Sequence, residues 1–494
     1  MALTAVADCG WGAVARAAVF RVSVTKQRQS RPIRPDFLGL ALEYRSIPAL
    51  TGADPSSVNP VLVQLIRNLV AHGRPVLRIG GQSGDRTWWP VGGMRRPPGI
   101  TYDLTPRWMT SAHALAQATN ARLILGVGLE ADRTRIDAVE ARQLLKGVGR
   151  RYIDALEIGN EPELYPLIPW YRMLRGTAIP WYSHSGVPVY SRRPTYNSAA
   201  FEQEFSRTLQ VLPQVPIAGP DTGILSWLGG SRRFLGPASR LRTVTWHAYG
   251  LNQCVMEASS PLYPTVPNLL RPQASRAIVN GISPYVALAH GAGASFRVDE
   301  MNSVTCNGRL GVSNTFASAL WVMDSLFTIA SHGVDGVNIH TFQNAANGLF
   351  DFDRSHGQWQ GTVHPLYYGV LMFAQAAPPG SRLLQIHAGR QNQVRVWATI
   401  GADHRVRVLL INSSLRRSAQ ALVGAGGRSG SVERLRASSA YATGGVTLGS
   451  QSFAPHTQTG LLAPPQATVV TARSGVYSVG LPAASAALLT IPAN

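Results

Sequence analysis

The sequence predicts an α/β chain built as a (β/α)8 barrel followed by an antiparallel β-sandwich. Three observations carry that reading. Between residues 37 and 376, eight short, nearly continuous apolar runs alternate with stretches of helical period, as parallel strands buried on both faces and their covering helices do. Beyond about residue 380 the helical period disappears and short alternating runs follow one another between Gly, Ser and Pro. The fourth and seventh of the eight apolar runs stop on glutamates, Glu161 and Glu300, at the end of the strand where barrel enzymes carry their catalytic side chains.

Taken in order, residues 20–24 alternate apolar and polar and suggest one strand of a half-buried sheet. Segment 1–30 is therefore expected to lend that strand to the β-sandwich, with the barrel over 31–378 and the β domain over 379–494. The first barrel strand is the apolar run 37–42, closing on Glu43 and Tyr44. Asn59 and Pro60 then open a helix whose apolar residues at 58, 61, 62, 65, 66, 69 and 70 form one stripe. The second strand, 75–81, contains Arg78 and runs into a glycine-rich turn with Gln82, Ser83 and Asp85 before a helix over 106–119. Strand three covers 123–128, with a helix over 137–149.

In the fourth strand, 153–161, Ile153, Ala155, Leu156 and Ile158 give way to Gly159 and Asn160, and Pro162 cannot donate to a sheet. Glu161 is thus placed just past the strand, with a proline behind it to fix the backbone. Helix 199–212 leads to the fifth strand, 217–221, and the sixth is 244–249, with His247 and Tyr249 near its end. A helical stretch over 274–291 precedes the seventh strand, 295–300. A strongly apolar helix, 314–332, then leads to the eighth strand, 336–340, which ends on His340, and a helix over 365–376 closes the series. No phosphate-binding glycine fingerprint appears, which disfavours a doubly wound nucleotide fold. The β domain is read from runs at 394–400, 405–413, 431–437, 446–453, 467–472 and 486–491.

Apolar content of 45% and charged content of 15% are those of a folded globular chain, and no run of 18 apolar residues is long enough to span a membrane. The net charge is +20, mostly from scattered arginine, a field that attracts anionic partners such as an acidic polysaccharide. With no RNA-binding strand pair or zinc-finger spacing, a nucleic-acid partner is not expected. The three cysteines, Cys9, Cys254 and Cys306, have no CxxC metal spacing; Cys254 and Cys306 both follow strands, which leaves one bridge between them open. No metal or organic cofactor is implied. Residues 2–20 are Ala-rich but interrupted by Asp8 and Arg16, and no signal peptide is legible; a secreted or periplasmic location is the preferred reading, and oligomeric state is not legible.

Strands four and seven lie nearly across an eight-stranded barrel, so Glu161 and Glu300 can face one small group between them. Two carboxylates on one bond are what glycoside hydrolysis needs, one to protonate the leaving oxygen and one to attack or position water. Glu300 needs hydrogen bonds or a cation to stay ionised. Arg78 is a candidate, and a purely structural ion pair is its other reading. Glu43 and Asp85 are read as binders of sugar hydroxyls or as loop caps. His247 and His340 are read as substrate contacts or as rim packing. Trp170, Tyr171, Trp181 and Tyr182, in the long insertion 163–198, suit sugar stacking or loop packing equally well.

The stretch Glu157-Ile158-Gly159-Asn160-Glu161-Pro162-Glu163-Leu164-Tyr165 resembles glycoside hydrolase family 79, as do Trp246-His247-Ala248-Tyr249, Glu300-Met301-Asn302-Ser303-Val304 and 311–317. Leu77-Arg78-Ile79-Gly80-Gly81 and the late β domain extend the resemblance over nearly the whole chain. The resemblance implies β-glucuronidase or heparanase-like activity with retention, Glu161 as acid/base and Glu300 as nucleophile. It implies that Asn160 bonds the sugar 2-hydroxyl and that Tyr249 orients the nucleophile. Glucuronidases of that family tend to hold the uronate with tyrosine and glycine after the nucleophile, whereas this chain has Thr305-Cys306-Asn307-Gly308-Arg309. Asn307 and Arg309 are the candidate contacts there. The expected function is a retaining exo-β-glycosidase acting on a carbohydrate, foremost a β-glucuronide. An endo-acting hydrolase of anionic polysaccharide, a β-glycosidase for a neutral or deoxy sugar, and a polysaccharide-binding protein without turnover are the alternatives.

Overall fold

The computed structural model describes residues 18–492 apart from 53, 72, 237, 390–392 and 454; the signal-peptide reading, as far as it falls on residues 2–17, and the reading on Cys9 lie outside the described residues. Eight parallel strands close a barrel in chain order: Leu38–Glu43, Val76–Gly80, Arg122–Val127, Ile153–Ile158, Ile217–Thr222, Leu241–Leu251, Ser295–Val304 and Gly336–His340. Closure is made by strand eight on strand one, with Val337 opposite Leu38 and His340 opposite Ala41. The strands read as apolar runs because both their faces are covered: every residue of strands one, two, five and eight is buried.

Helix starts follow local capping chemistry. The Asn59 side chain accepts from the backbone N–H groups of Val61 and Leu62 at the head of Pro60–Leu69, and Thr105 accepts from Trp108 N at the head of Pro106–Thr119. Two helical expectations need correction. The stretch 137–149 is an α-helix over Thr134–Leu144 that widens into a π-helical turn at Leu145–Gly149, where Gly147 and Gly149 weaken the regular ladder. The stretch 274–291 is broken into Pro272–Arg276, a 3-10 turn at Ala277–Val279 and Ser283–Gly291. Gly281 at φ 80 and Pro284 together interrupt it.

Ala18–Arg28 pairs with Arg382–Ala388 on one side and Ala419–Gly424 on the other, inside a ten-stranded sheet of the β domain. The sheet is not wholly antiparallel, since this strand runs parallel to Ala419–Gly424. A parallel neighbour needs a long crossover, and here the whole barrel lies between the two strands. Strands Arg382–Ala388, Ala419–Gly424 and Val476–Leu481 were not foreseen, and the run 446–453 pairs only at Thr447–Leu448 and through a bridge from Leu448 to Gln451, with Gly449 turning the chain between them at φ 52.

The β domain covers helices Phe316–Ser331 and Pro365–Ala376, which explains why both are buried nearly all round. Trp397 of the β domain stacks on Phe327 with ring centroids 5.5 Å apart and donates to Asp324 at 2.9 Å. One apolar core therefore runs from the barrel into the β domain, and a second lies within the β domain. The insertion after strand four folds into a three-stranded sheet, Tyr171–Leu174, Thr177–Ile179 and Val187–Val189. No helix among the described residues is long and apolar enough to cross a membrane.

Candidate active site

Strand seven carries one residue too many. Trp246 lies opposite Val298 but His247 opposite Glu300; on the other side Val298 lies opposite Val337 and Met301 opposite Ile339. The extra residue falls at Asp299–Glu300. Regular alternation would send one of two consecutive side chains out to the helices, whereas a bulge re-aims it. Both carboxylates accordingly face Arg78 of strand two, Glu300 at 2.6 Å and Asp299 at 3.8 Å. The strand continues to Val304, so Glu300 stands within it and not at its end as expected; the sixth strand runs on with it to Leu251.

Glu161 is held by backbone geometry. It adopts a left-handed conformation, φ 45 and ψ 57, and its N–H donates to Asp221 O at 2.8 Å. Such a conformation is uncommon outside glycine and is kept only where neighbours constrain it; Pro162 and the Asp221 bond do so here. The Glu161 side chain is 24% exposed, against 8% for Glu300.

Arg78 is the centre of the buried charge. Besides Glu300 its guanidinium donates to Glu157 and Asp221, each at 2.6 Å, and to Asn160 Oδ1 at 2.9 Å. Burial alone would lower its pKa, but the charges of Asp221, Glu157, Glu300 and Asp299 hold it well above the ordinary arginine value. Burial likewise acts to raise Glu300. It is overridden by the charges of His340, His247 and Arg78 and by the Tyr249 hydroxyl, which donates at 2.6 Å, so Glu300 lies well below the usual carboxylate range. Asp299 goes the other way: burial and the charge of Glu157 push it well up. Neighbouring carboxylates in strand seven are thereby driven in opposite directions, Glu300 down and Asp299 up.

His247 bridges two acids, with Nε2 2.6 Å from Asp221 and Nδ1 3.1 Å from Glu161. Burial opposes its charge, yet Asp221 and Glu300 raise its pKa well above the ordinary histidine value. His340 is also raised, by Glu300 and Glu43 against burial, and stands 3.0 Å from the Tyr249 hydroxyl and 3.3 Å from Glu43. Oxygens of Glu161 and Glu300 and a nitrogen of His247 lie within 4.8 Å of one another, a spacing that could also suit a metal ion, as do atoms of Asp221, His247 and Asp299. Both ring nitrogens of His247 are already engaged by Asp221 and Glu161, so neither is free to ligate without breaking one of those contacts.

Of the sequence candidates, Glu161, Glu300, Asn160, Arg78, His247, Tyr249, His340 and Glu43 form one connected network. Glu43 accepts from Ser83 N at 2.8 Å and sits under Gly81, where a Cβ would come within 2.2 Å of its Oε1. Asp85 is a loop fastener: it accepts from the N–H of Leu129, Glu130 and Asn160 and from the Tyr165 hydroxyl at 2.7 Å. Arg309 is turned away onto Tyr263, 5.0 Å from the ring centroid and 3.4 Å from its hydroxyl, and Asn307 is exposed at φ 71. The aromatic insertion is fastened by Arg86, which donates to Trp170 O and lies 5.3 Å from the Trp181 ring. Glu157, Asp221, Asp299 and Glu163 were missed. The first and third were legible as charges inside apolar strands, a costly placement that demands a partner. Glu163 accepts from the Thr222 hydroxyl at 2.8 Å and from Gly223 N, and burial with the charge of Glu161 pushes it up to about 7.

A closed parallel barrel with two glutamates facing each other toward its C-terminal rim is a plan of glycoside hydrolases. Residues 396–488 match the family described as the glycosyl hydrolase family 79 C-terminal beta domain. It is 25% identical over 399 residues to a β-glucuronidase of Neurospora crassa, covering 73% of this chain and 67% of that protein. Its fold is that of a 4-O-α-L-rhamnosyl-β-D-glucuronidase from Fusarium oxysporum 12S, at TM-score 0.69 and 18% identity over 96% of this chain and 100% of the other. A family 51 arabinofuranosidase from Xanthomonas axonopodis pv. citri is similar at TM-score 0.66 and 14% identity, over 96% and 100% of the two chains.

Proposed function

We propose that the chain is a retaining exo-β-glucuronidase, with Glu300 as nucleophile and Glu161 as acid/base. The observation that carries this reading is the separation of the two carboxylates, whose oxygens approach within 4.8 Å. Retention needs about 5–5.5 Å and inversion about 6.5–9.5 Å, because inversion must seat a water between the general-base carboxylate and the sugar. In the first step Glu161 gives a proton to the glycosidic oxygen while Glu300 attacks the anomeric carbon, forming a glycosyl ester. In the second, Glu161 takes a proton from water, which displaces Glu300.

The environments of the two acids suit these roles. Glu300 is buried among His340, His247 and Arg78, whose charges hold its carboxyl well below the usual carboxylate range, as a nucleophile requires. Tyr249 fixes one of its oxygens and Arg78 the other, leaving its position set before substrate arrives. Asn160, held by Arg78 and by Asp85, would bond the 2-hydroxyl. The insertion sheet at 171–189, fastened by Arg86 and by Arg192, supplies a wall beside the rim that favours removal of one terminal sugar.

A neutral or deoxy glycone is the second reading, favoured by Arg309, whose guanidinium is engaged by Tyr263. Turnover of aryl β-glycosides bearing glucuronate, glucose, xylose and 6-deoxyglucose, with Glu300→Gln as blank, separates the two. Preference for the glucuronide is expected. Preference for a neutral sugar would replace the uronate assignment, and a product of inverted anomeric configuration would sink the mechanism.

A further inference from the structure

Strands six and seven stay paired as far as Leu251 opposite Val304, and the loops beyond them are laced together. Thr305 N donates to Leu251 O at 3.2 Å, Gln253 N to Thr305 Oγ1 at 3.0 Å, and Thr305 Oγ1 to Asn252 Oδ1 at 3.1 Å. The chain then coils sharply, with Cys306, Asn307 and Gly308 all left-handed at φ 55, 71 and 82. Two successive non-glycine residues in that region persist only under external constraint. The coil turns Cys306 back onto the neighbouring loop, where its Sγ lies 3.8 Å from Sγ of Cys254. Both side chains are accessible at the rim.

We propose that Cys254 and Cys306 are a disulfide site that clamps the two rim loops flanking the substrate mouth. Bond formation needs the sulfurs to close to about 2.05 Å, an approach of a little under 2 Å that side-chain rotation supplies. The oxidant is a low-molecular-weight disulfide. One protein thiolate attacks it, releasing one small thiol and leaving a mixed disulfide; the second protein thiol loses its proton and displaces the other small thiol. Two protein S–H bonds and one small S–S bond are exchanged for one protein S–S bond and two small thiols.

The clamp acts on the loop that departs from the family pattern. Cys306 is close enough to Glu161 to feel its charge, and the next residues are Asn307 and Arg309. Arg309 stacks on Tyr263, which belongs to the same loop as Cys254 through the bond from Asn252 N to Leu262 O at 3.0 Å. A covalent tie and a cation–π tie thus join the same two loops and determine where Asn307 and Arg309 stand. This functional part rests on the glucuronidase reading; the cross-link itself does not.

The test uses the full chain with Cys9→Ser, so that the third cysteine cannot exchange, equilibrated with oxidised glutathione or with a phosphine reductant. A mass about 2 Da lower, a linked peptide joining Cys254 to Cys306 and no free thiol are expected after oxidation. Alkylation of both cysteines after oxidation, or stable glutathione adducts on each, would overturn the proposal. For the clamp, KM for an aryl β-glucuronide is expected to be several-fold lower in the oxidised protein than in the reduced one, with kcat within about twofold. Cys306→Ser should match the reduced protein and ignore oxidant. A linked peptide with unchanged KM would overturn the clamp and leave the cross-link, and absence of glucuronide turnover in both states would count against the glucuronidase reading alone, since the peptide map is read without substrate.

Discussion

The two ends of the barrel are both rich in charge but are built differently. At the N-terminal end Asp36 meets Arg34 at 2.9 Å and also Arg122, which reaches Asp154 at 3.0 Å. Arg297 there caps Asp36 O and Asn338 Oδ1. Each acid has its arginine, and Asp36 is held down to about 2 by its arginine partners despite burial. At the C-terminal rim, Glu157, Asp221, Asp299 and Glu300 crowd one arginine, Arg78. With acids in excess, the pKa values are driven apart: Glu300 down, Asp299 up. Balanced pairs stabilise a barrel, and an unbalanced cluster stores protons where chemistry needs them.

The comparison can be broken at several points. Glu300→Gln removes the nucleophile without changing its volume, and kcat/KM on the preferred aryl glycoside is expected to fall by about 10⁴-fold or more; a loss below tenfold would remove Glu300 from the mechanism. Arg78→Met leaves several buried acids without a cation and should cost about 3–5 kcal/mol in urea unfolding, together with nearly all activity. Stability within about 1 kcal/mol of wild type would show that the rim acids are reorganised as neutral groups.

A smaller effect is expected at Glu163. Its folded pKa of about 7 lies above the unfolded carboxylate value, so the folded chain keeps a proton that the unfolded chain releases. Wild-type stability should therefore decline as pH rises from about 4 to 7. Glu163→Gln, which cannot titrate, should be more stable than wild type by roughly 1–3 kcal/mol at pH 8 and indistinguishable near pH 4. The opposite pH trend in paired urea titrations would contradict the raised value. Smallest of all, Arg122→Ala at the far end, where the side chain is 28% exposed, should cost no more than about 1 kcal/mol and leave kcat/KM unchanged; a large activity loss would mean that the two ends are coupled.

Much of this was legible in the chain. All eight barrel strands were placed, because parallel strands covered on both faces leave long apolar runs that few other structures produce. Glu161 and Glu300 were legible because each follows such a run. Arg78 was legible only as a cation of two meanings, and the structure sets it 2.6 Å from Glu300 and equally close to Glu157 and Asp221. Strands of the β domain such as Ala419–Gly424 and Val476–Leu481 were missed, since short pieces with mixed small residues look like loops. Glu157 and Asp299 were passed over because a strand pattern says which residues are apolar and is silent on what a buried charge will meet.

Local chemistry by itself determined the order of elements, the helix caps at Asn59 and Thr105, and the nomination of two glutamates, since each depends on residues near one another in sequence. Only the tertiary structure decided the bulge at Asp299–Glu300, the crowding of acids on Arg78, the turning of Arg309 onto Tyr263 and the approach of Cys254 to Cys306. Those features pair residues from different strands and loops, and a pKa or a contact set across the barrel depends on through-space distance, which no local pattern encodes.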